Sequence, residues 1–152
     1  MEILLKSEAD TWSIGNKLGQ TLQGGEVIEL VGDVGAGKTA LTKAIAAGMG
    51  IDDDIQSPTF TLSRVYDAPS GNRLAHYDFY RLQDAGILRA ELDEVMHDAQ
   101  TVTVIEWSGI VSDILPNDRL VIELVATAEH SRCATITATG DHSQKLLDGA
   151  KL

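Results

Sequence analysis

At 152 residues the chain is the size of one domain, long enough to bury roughly two-thirds of the surface its unfolded form exposes. Hydrophobic residues make up 43% and charged residues 23%, a globular balance that excludes a disordered or fibrous chain. With 12 Lys and Arg against 23 Asp and Glu the formal net charge is −11, which argues against direct binding of nucleic acid or anionic membrane. A phosphate ligand held by backbone amides is still allowed. The longest apolar run, Ala44 to Ile51, is too short to span a bilayer. An acidic Glu2 and the lack of a signal-like apolar stretch predict a cytoplasmic address. The single cysteine, Cys133, has no disulfide partner and is expected to be buried filler.

In chain order, Ile3 to Leu5 predict a short strand, and Ser7 with Asp10 forms a capping-box pattern opening a helix. Trp12, Ile14, Leu18 and Leu22 would line that helix before Gly24-Gly25 ends it. Val27 to Val31 is a nearly continuous apolar run, as expected of a strand buried in a parallel sheet. A glycine-rich turn follows, then an alanine-rich helix from Lys38 to about Met49. Thr59 to Asp67 and Leu74 to Tyr80 predict a β-hairpin around the turn cluster Ala68 to Asn72. Asp84 to Ala99 carries a helical stripe of Ile87, Leu88, Leu92, Val95 and Met96. Val102, Val104 and Ile105 predict a second buried strand, followed by a short helical stretch up to Pro116. Leu120 to Val125 and Cys133 to Thr139 predict the last strands, with residues 141–152 as a fraying helical tail. No repeat or linker divides the chain, so a single domain is expected over 1–152: an α/β sandwich with a mixed central sheet, flanking helices and an inserted β-hairpin.

The strongest motif is Gly32-Asp33-Val34-Gly35-Ala36-Gly37-Lys38-Thr39, a complete G-x-x-x-x-G-K-[ST] between a strand and a helix. The glycines let successive amides turn inward around an anionic oxygen, and the helix N-terminus adds its positive end. Lys38 is expected to reach the β- and γ-phosphates and the Thr39 hydroxyl to ligate Mg²⁺. A second metal ligand is expected at the end of a buried strand, and two acids compete: Glu106 after Val102 to Ile105, and Asp78 in His76-Tyr77-Asp78-Phe79-Tyr80. Glu106 is favoured because its strand is the more apolar; the other acid could orient the attacking water or serve a partner. Neither Asn-Lys-x-Asp nor Asp-x-x-Gly occurs, which favours adenine over guanine. Trp107 could stack on a base, but core filling is the weightier expectation. Ser57-Pro58-Thr59-Phe60 follows the phosphate-loop helix, where nucleotide switches sense the γ-phosphate. Asp52 to Asp54 read as a solvated loop, Arg132 as a surface cation, and the four histidines show no zinc-like i,i+4 pairing.

Together these strings resemble the TsaE (YjeE) family, small P-loop ATPases of bacterial tRNA threonylcarbamoyladenosine synthesis. The resemblance rests on residues 32–39, Ser57-Pro58-Thr59-Phe60-Thr61-Leu62, His76-Tyr77-Asp78-Phe79-Tyr80-Arg81-Leu82 and Val104-Ile105-Glu106-Trp107, and covers about Ser7 to Trp107. It implies ATP and Mg²⁺ binding through Gly35, Ala36, Gly37, Lys38, Thr39 and Ala40, with Thr39 and Glu106 as metal ligands and Asp78 as a functional acid. It further implies that Thr11 and Arg132 approach the nucleotide. Family members work with TsaB and TsaD, and the ATPase is thought to reset that complex, so tRNA would be met only through partners. Ala40 stands where a second Thr is common, and Ser108-Gly109 where Pro is frequent; neither change removes a ligand. The competing readings are a small-molecule kinase, with Arg81 and Arg89 as a thin lid, and a nucleotide-gated binding module without turnover.

Overall fold

A computed structural model describes residues 1–152. Its elements are β1 (Glu2–Leu5), α1 (Glu8–Thr21), β2 (Val27–Val31), α2 (Lys38–Gly48), β3 (Ser63–Asp67), β4 (Arg73–Asp78), α3 (Ile87–Met96), β5 (Thr101–Glu106), a 3₁₀ turn (Ser108–Val111), β6 (Leu120–Ala126), β7 (Arg132–Ala138) and α4 (Asp141–Ala150). The strands form one seven-stranded sheet in the order β1-β7-β6-β2-β5-β4-β3. Its centre, β6-β2-β5-β4, is parallel, and β7, β1 and β3 add antiparallel edges. All six residues of β5 are buried, as expected of a strand covered on both faces. The fold is the α/β sandwich that the strand-turn-helix alternation predicts. The predicted hairpin has a deeper role, because β4 pairs in parallel with β5 and belongs to the central sheet.

Alternation along the strands divides the core between the two faces. Ile28, Leu30, Val102 and Val104 point into one cluster with residues of α1, α2 and α4. Val27, Ile105 and Tyr77 point into a second, under α3 and the 3₁₀ turn. Thr11, Ile14, Gly15, Leu18 and Gly19 form the buried face of α1, whereas Trp12, expected on that face, is 49% exposed. Small residues let α1 and α2 approach closely. A Cβ at Gly19 would stand 2.1 Å from the Ile45 carbonyl oxygen, and one at Gly48 2.2 Å from that of Asn16.

Four other expectations change. The strand predicted from Thr59 begins only at Ser63, because residues 59–62 turn and Leu62 adopts φ 66°. α3 starts at Ile87 rather than Asp84: the Asp84 carboxylate accepts from the Gly86 amide, and Gly86 breaks the helix with φ 53°. Residues 141–150 do not fray. They form α4, whose Leu146, Leu147 and Ala150 are buried in the main core. Cys133 is half-buried rather than core filler, since alternation in β7 sends Ala134 and Ile136 inward instead.

Candidate nucleotide site

The site lies where β2, β5 and β4 end side by side, at the carboxyl edge of the parallel centre. β2 runs into the phosphate loop at Gly32, whose φ of 149° and close approach leave no room for a side chain; a Cβ there would lie 2.5 Å from the Leu124 carbonyl oxygen. Gly37 caps α2 with φ 106°, the left-handed geometry that turns the amides toward the loop's interior. Lys38 is buried, and its ammonium donates to the carbonyls of Gly32 at 2.7 Å and Asp33 at 2.9 Å. Thr42 Oγ1 donates to the Lys38 carbonyl at 2.9 Å, so the first turn of α2 is held from both ends. The Thr39 hydroxyl makes no hydrogen bond within the protein and lines the adjoining cleft.

That cleft, about 450 Å³, brings together Lys38, Thr39, Ser57, Thr59, Asp78 and Glu106. A larger cavity of about 570 Å³ lies against β6, but neither Lys38, Thr39, Asp78 nor Glu106 lines it. The chemistry therefore belongs to the first. Parallel pairing places Asp78 directly opposite Glu106, and both are buried. Their hydrogen bonds differ. Asp78 Oδ2 accepts from Ser57 Oγ at 3.3 Å and Thr59 Oγ1 at 3.0 Å, while Oδ1 accepts from the Tyr80 amide at 2.9 Å. Glu106 Oε1 lies 2.8 Å from His76 Nε2, and Oε2 has no protein partner. Asp78 thus fastens the 57–59 segment, and Glu106 keeps one oxygen free.

Trp107 is half-buried. It packs against the second core cluster and also borders the cleft, so its expected core role is only half the account. Its ring lies 4.9 Å from that of Tyr80, with the Lys38 ammonium 4.9 Å from its centroid. Gly35 and Gly37 also line the cleft. Ala36 is buried, Ala40 is exposed in the first turn of α2, and Pro58 lies between the two hydroxyls that Asp78 holds. Arg132 is tied to the phosphate loop, its Nε donating to the Ala36 carbonyl at 3.1 Å; it is not the free surface cation the sequence suggested. Thr11 is buried on α1 without a side-chain hydrogen bond and does not line the cleft. The sequence assigns no role of their own to His76 and Tyr80, and Arg81, expected only as an arm of a kinase lid, lines the cleft beside Tyr80. The strand period was the available signal for His76, which shares a face with Asp78 two residues on.

The donor set suits a small hard cation. A hydroxyl at Thr39 and an unpartnered carboxylate oxygen at Glu106 are the oxygen ligands that Mg²⁺ prefers.

A parallel α/β sheet whose glycine-rich turn feeds the N-terminus of a helix, with lysine inside the loop and acids on the neighbouring strands, defines a P-loop nucleotide-binding fold. The family model for the threonylcarbamoyl adenosine biosynthesis protein TsaE matches residues 5–134, and the chain belongs to that family. The TsaE protein of Bacillus subtilis is 38% identical over 124 residues, covering 82% of this chain and 77% of that protein. That of Streptomyces coelicolor is 33% identical over 133 residues, covering 84% and 90%. The crystal structure of Bacillus subtilis YdiB superposes with a TM-score of 0.83 at 30% identity, covering 99% of this chain and 93% of that one. No helix is long and apolar enough to cross a membrane.

Proposed function

We propose that this chain is the ATP-binding and hydrolysing subunit of the machinery that places threonylcarbamoyl on the adenosine next to the tRNA anticodon, acting with TsaB and TsaD to reset their complex between turnovers. The observation that carries the ATPase reading is the convergence of Lys38, Thr39 and a half-free Glu106 with an Asp78-anchored switch in one cleft. The loop amides and Lys38 would hold the β- and γ-phosphates and stabilise charge developing on the phosphoryl group as water attacks. Thr39 and Glu106 would hold Mg²⁺, which supplies further charge neutralisation. Asp78, through Ser57 and Thr59, couples phosphate occupancy to the surface around Phe60, whose side chain is 98% exposed. The kinase lid loses one arm, because Arg89 is paired with Asp113 and does not line the cleft.

The test is phosphate release by the purified chain with and without TsaB and TsaD. The expected outcome is slow basal hydrolysis that rises severalfold with the partners. Lys38→Ala should abolish both hydrolysis and support of tRNA modification. Full-speed turnover by the chain alone, or no response to partners, contradicts the reading; a phosphorylated metabolite points to a kinase. A Glu106→Ala variant that binds ATP and still supports modification points to a gated module without turnover.

A further inference from the structure

Building on the Mg²⁺-ATP reading above, we infer that His76 is a positioning residue that fixes the Glu106 carboxylate for the metal. His76 is fully buried in β4, held between Arg64 of β3 and Val104 of β5 in the sheet register. Its Nε2 lies 2.8 Å from Glu106 Oε1, while Nδ1 is buried with no hydrogen-bond partner. That combination assigns the tautomer. With the proton on Nε2 the ring donates to the carboxylate, and Nδ1 presents only a lone pair. With the proton on Nδ1, a buried N–H would lack an acceptor and a lone pair would face the carboxylate. The donor therefore points at Oε1, and complete burial of the side chain restricts the ring's rotation.

The consequence for Glu106 is directional. A glutamate at a strand end has three rotatable bonds, and metal affinity depends on which lone pair it offers. Occupying Oε1 from below leaves Oε2 as the oxygen without a protein partner, in a side chain that lines the same cleft as Thr39. This is the arrangement by which outer-shell donors orient a ligand, and removing such donors costs about 10–100-fold in metal affinity.

The comparison that tests this uses His76→Gln and His76→Asn. Glutamine can carry a donor N–H to about the position of Nε2; asparagine is also polar but too short. ATP binding is followed by Trp107 fluorescence, in a Trp12→Phe background, with Mg²⁺ and with EDTA. The expected result is that His76→Asn loses about tenfold in the Mg²⁺-dependent gain in affinity while binding in EDTA is unchanged, and that His76→Gln recovers most of the loss. In the hydrolysis assay His76→Asn should raise the Mg²⁺ concentration needed for half-maximal rate. Thermal unfolding confirms that each variant is folded. Equal Mg²⁺ dependence in wild type and His76→Asn, or equal losses in both variants, overturns the role of His76 alone. A wild-type protein whose ATP affinity ignores Mg²⁺ overturns the ATP-site reading as well.

Discussion

Trp107 adopts φ 56° and ψ 47°, a left-handed conformation that costs a bulky residue of order 1–3 kcal/mol. Something must hold it. The next residue supplies the anchor: Ser108 Oγ donates to Glu29 Oε1, and Arg119 Nε donates to Glu29 Oε2 at 2.7 Å. Arg119 is itself fixed by the Pro116 carbonyl at 2.9 Å. Glu29, the one charge in the apolar run of β2, thus joins β2, the 3₁₀ turn and the loop before β6. Glu29→Ala should destabilise the fold by about 2–4 kcal/mol, because it leaves Arg119 partly buried without its counter-ion. Glu29→Gln keeps an acceptor for Ser108 and should lose less. Urea unfolding followed by tryptophan emission measures both, and equal losses would mean that the charge alone matters. From sequence, Glu29 is only an interruption of a hydrophobic strand. Its partners lie 79 and 90 residues away, beyond the reach of local pattern.

Among the elements, α4 shows how a distant residue secures a helix. Asp118, in the loop before β6, accepts from the His142 amide at 2.8 Å and the Ser143 amide at 2.9 Å, capping α4 from outside its own segment. Hydrogen bonding by Ser143, then the backbone amides, holds the Asp118 carboxyl below its ordinary value of 3.8. A depressed carboxyl stabilises the fold fully above the unfolded pKa and loses that contribution as pH falls through the folded one. Asp118→Ala should therefore lower stability by about 1 kcal/mol near neutrality. The difference from wild type should be flat from pH 8 to 5 and close below about pH 4; a gap that persists at low pH would assign the loss to packing. Strong periodicity and caps made β2, α2 and β5 legible, because their signals are local. The fraying expected of the tail failed because only part of its cap, the Ser143 hydroxyl, is local, and the Asp118 carboxylate comes from a distant segment. Residues 59–62 look like strand in composition, yet the three groups that converge on Asp78, from Ser57, Thr59 and Tyr80, bend the chain instead. The phosphate loop was readable in full, and the apolar strand favoured Glu106 over Asp78; what each acid touches was not legible, because His76, Ser57 and Thr59 reach them only through strand pairing and long-range folding.

For the molecule as a whole, a charge of −11 means self-repulsion in the folded state. Raising salt from about 10 mM to 150 mM shortens the screening length from about 30 to 8 Å and should raise the melting temperature. A flat or falling melting temperature would show that exposed pairs such as Arg73–Asp98 outweigh the repulsion. The two walls of the cleft are also unequally fastened. On one side, α2 is locked to α1 by glycine contacts that admit no extra atom, and its lysine is tied to its own loop. On the other, the 57–62 segment is joined to the sheet through the Asp78 carboxylate and one bond from the Asp78 amide to the Leu62 carbonyl. A force applied between the walls is therefore absorbed almost entirely by the second. The cleft is a vice with one welded jaw, and its loose jaw carries the exposed Phe60 outward as the pointer of the gauge.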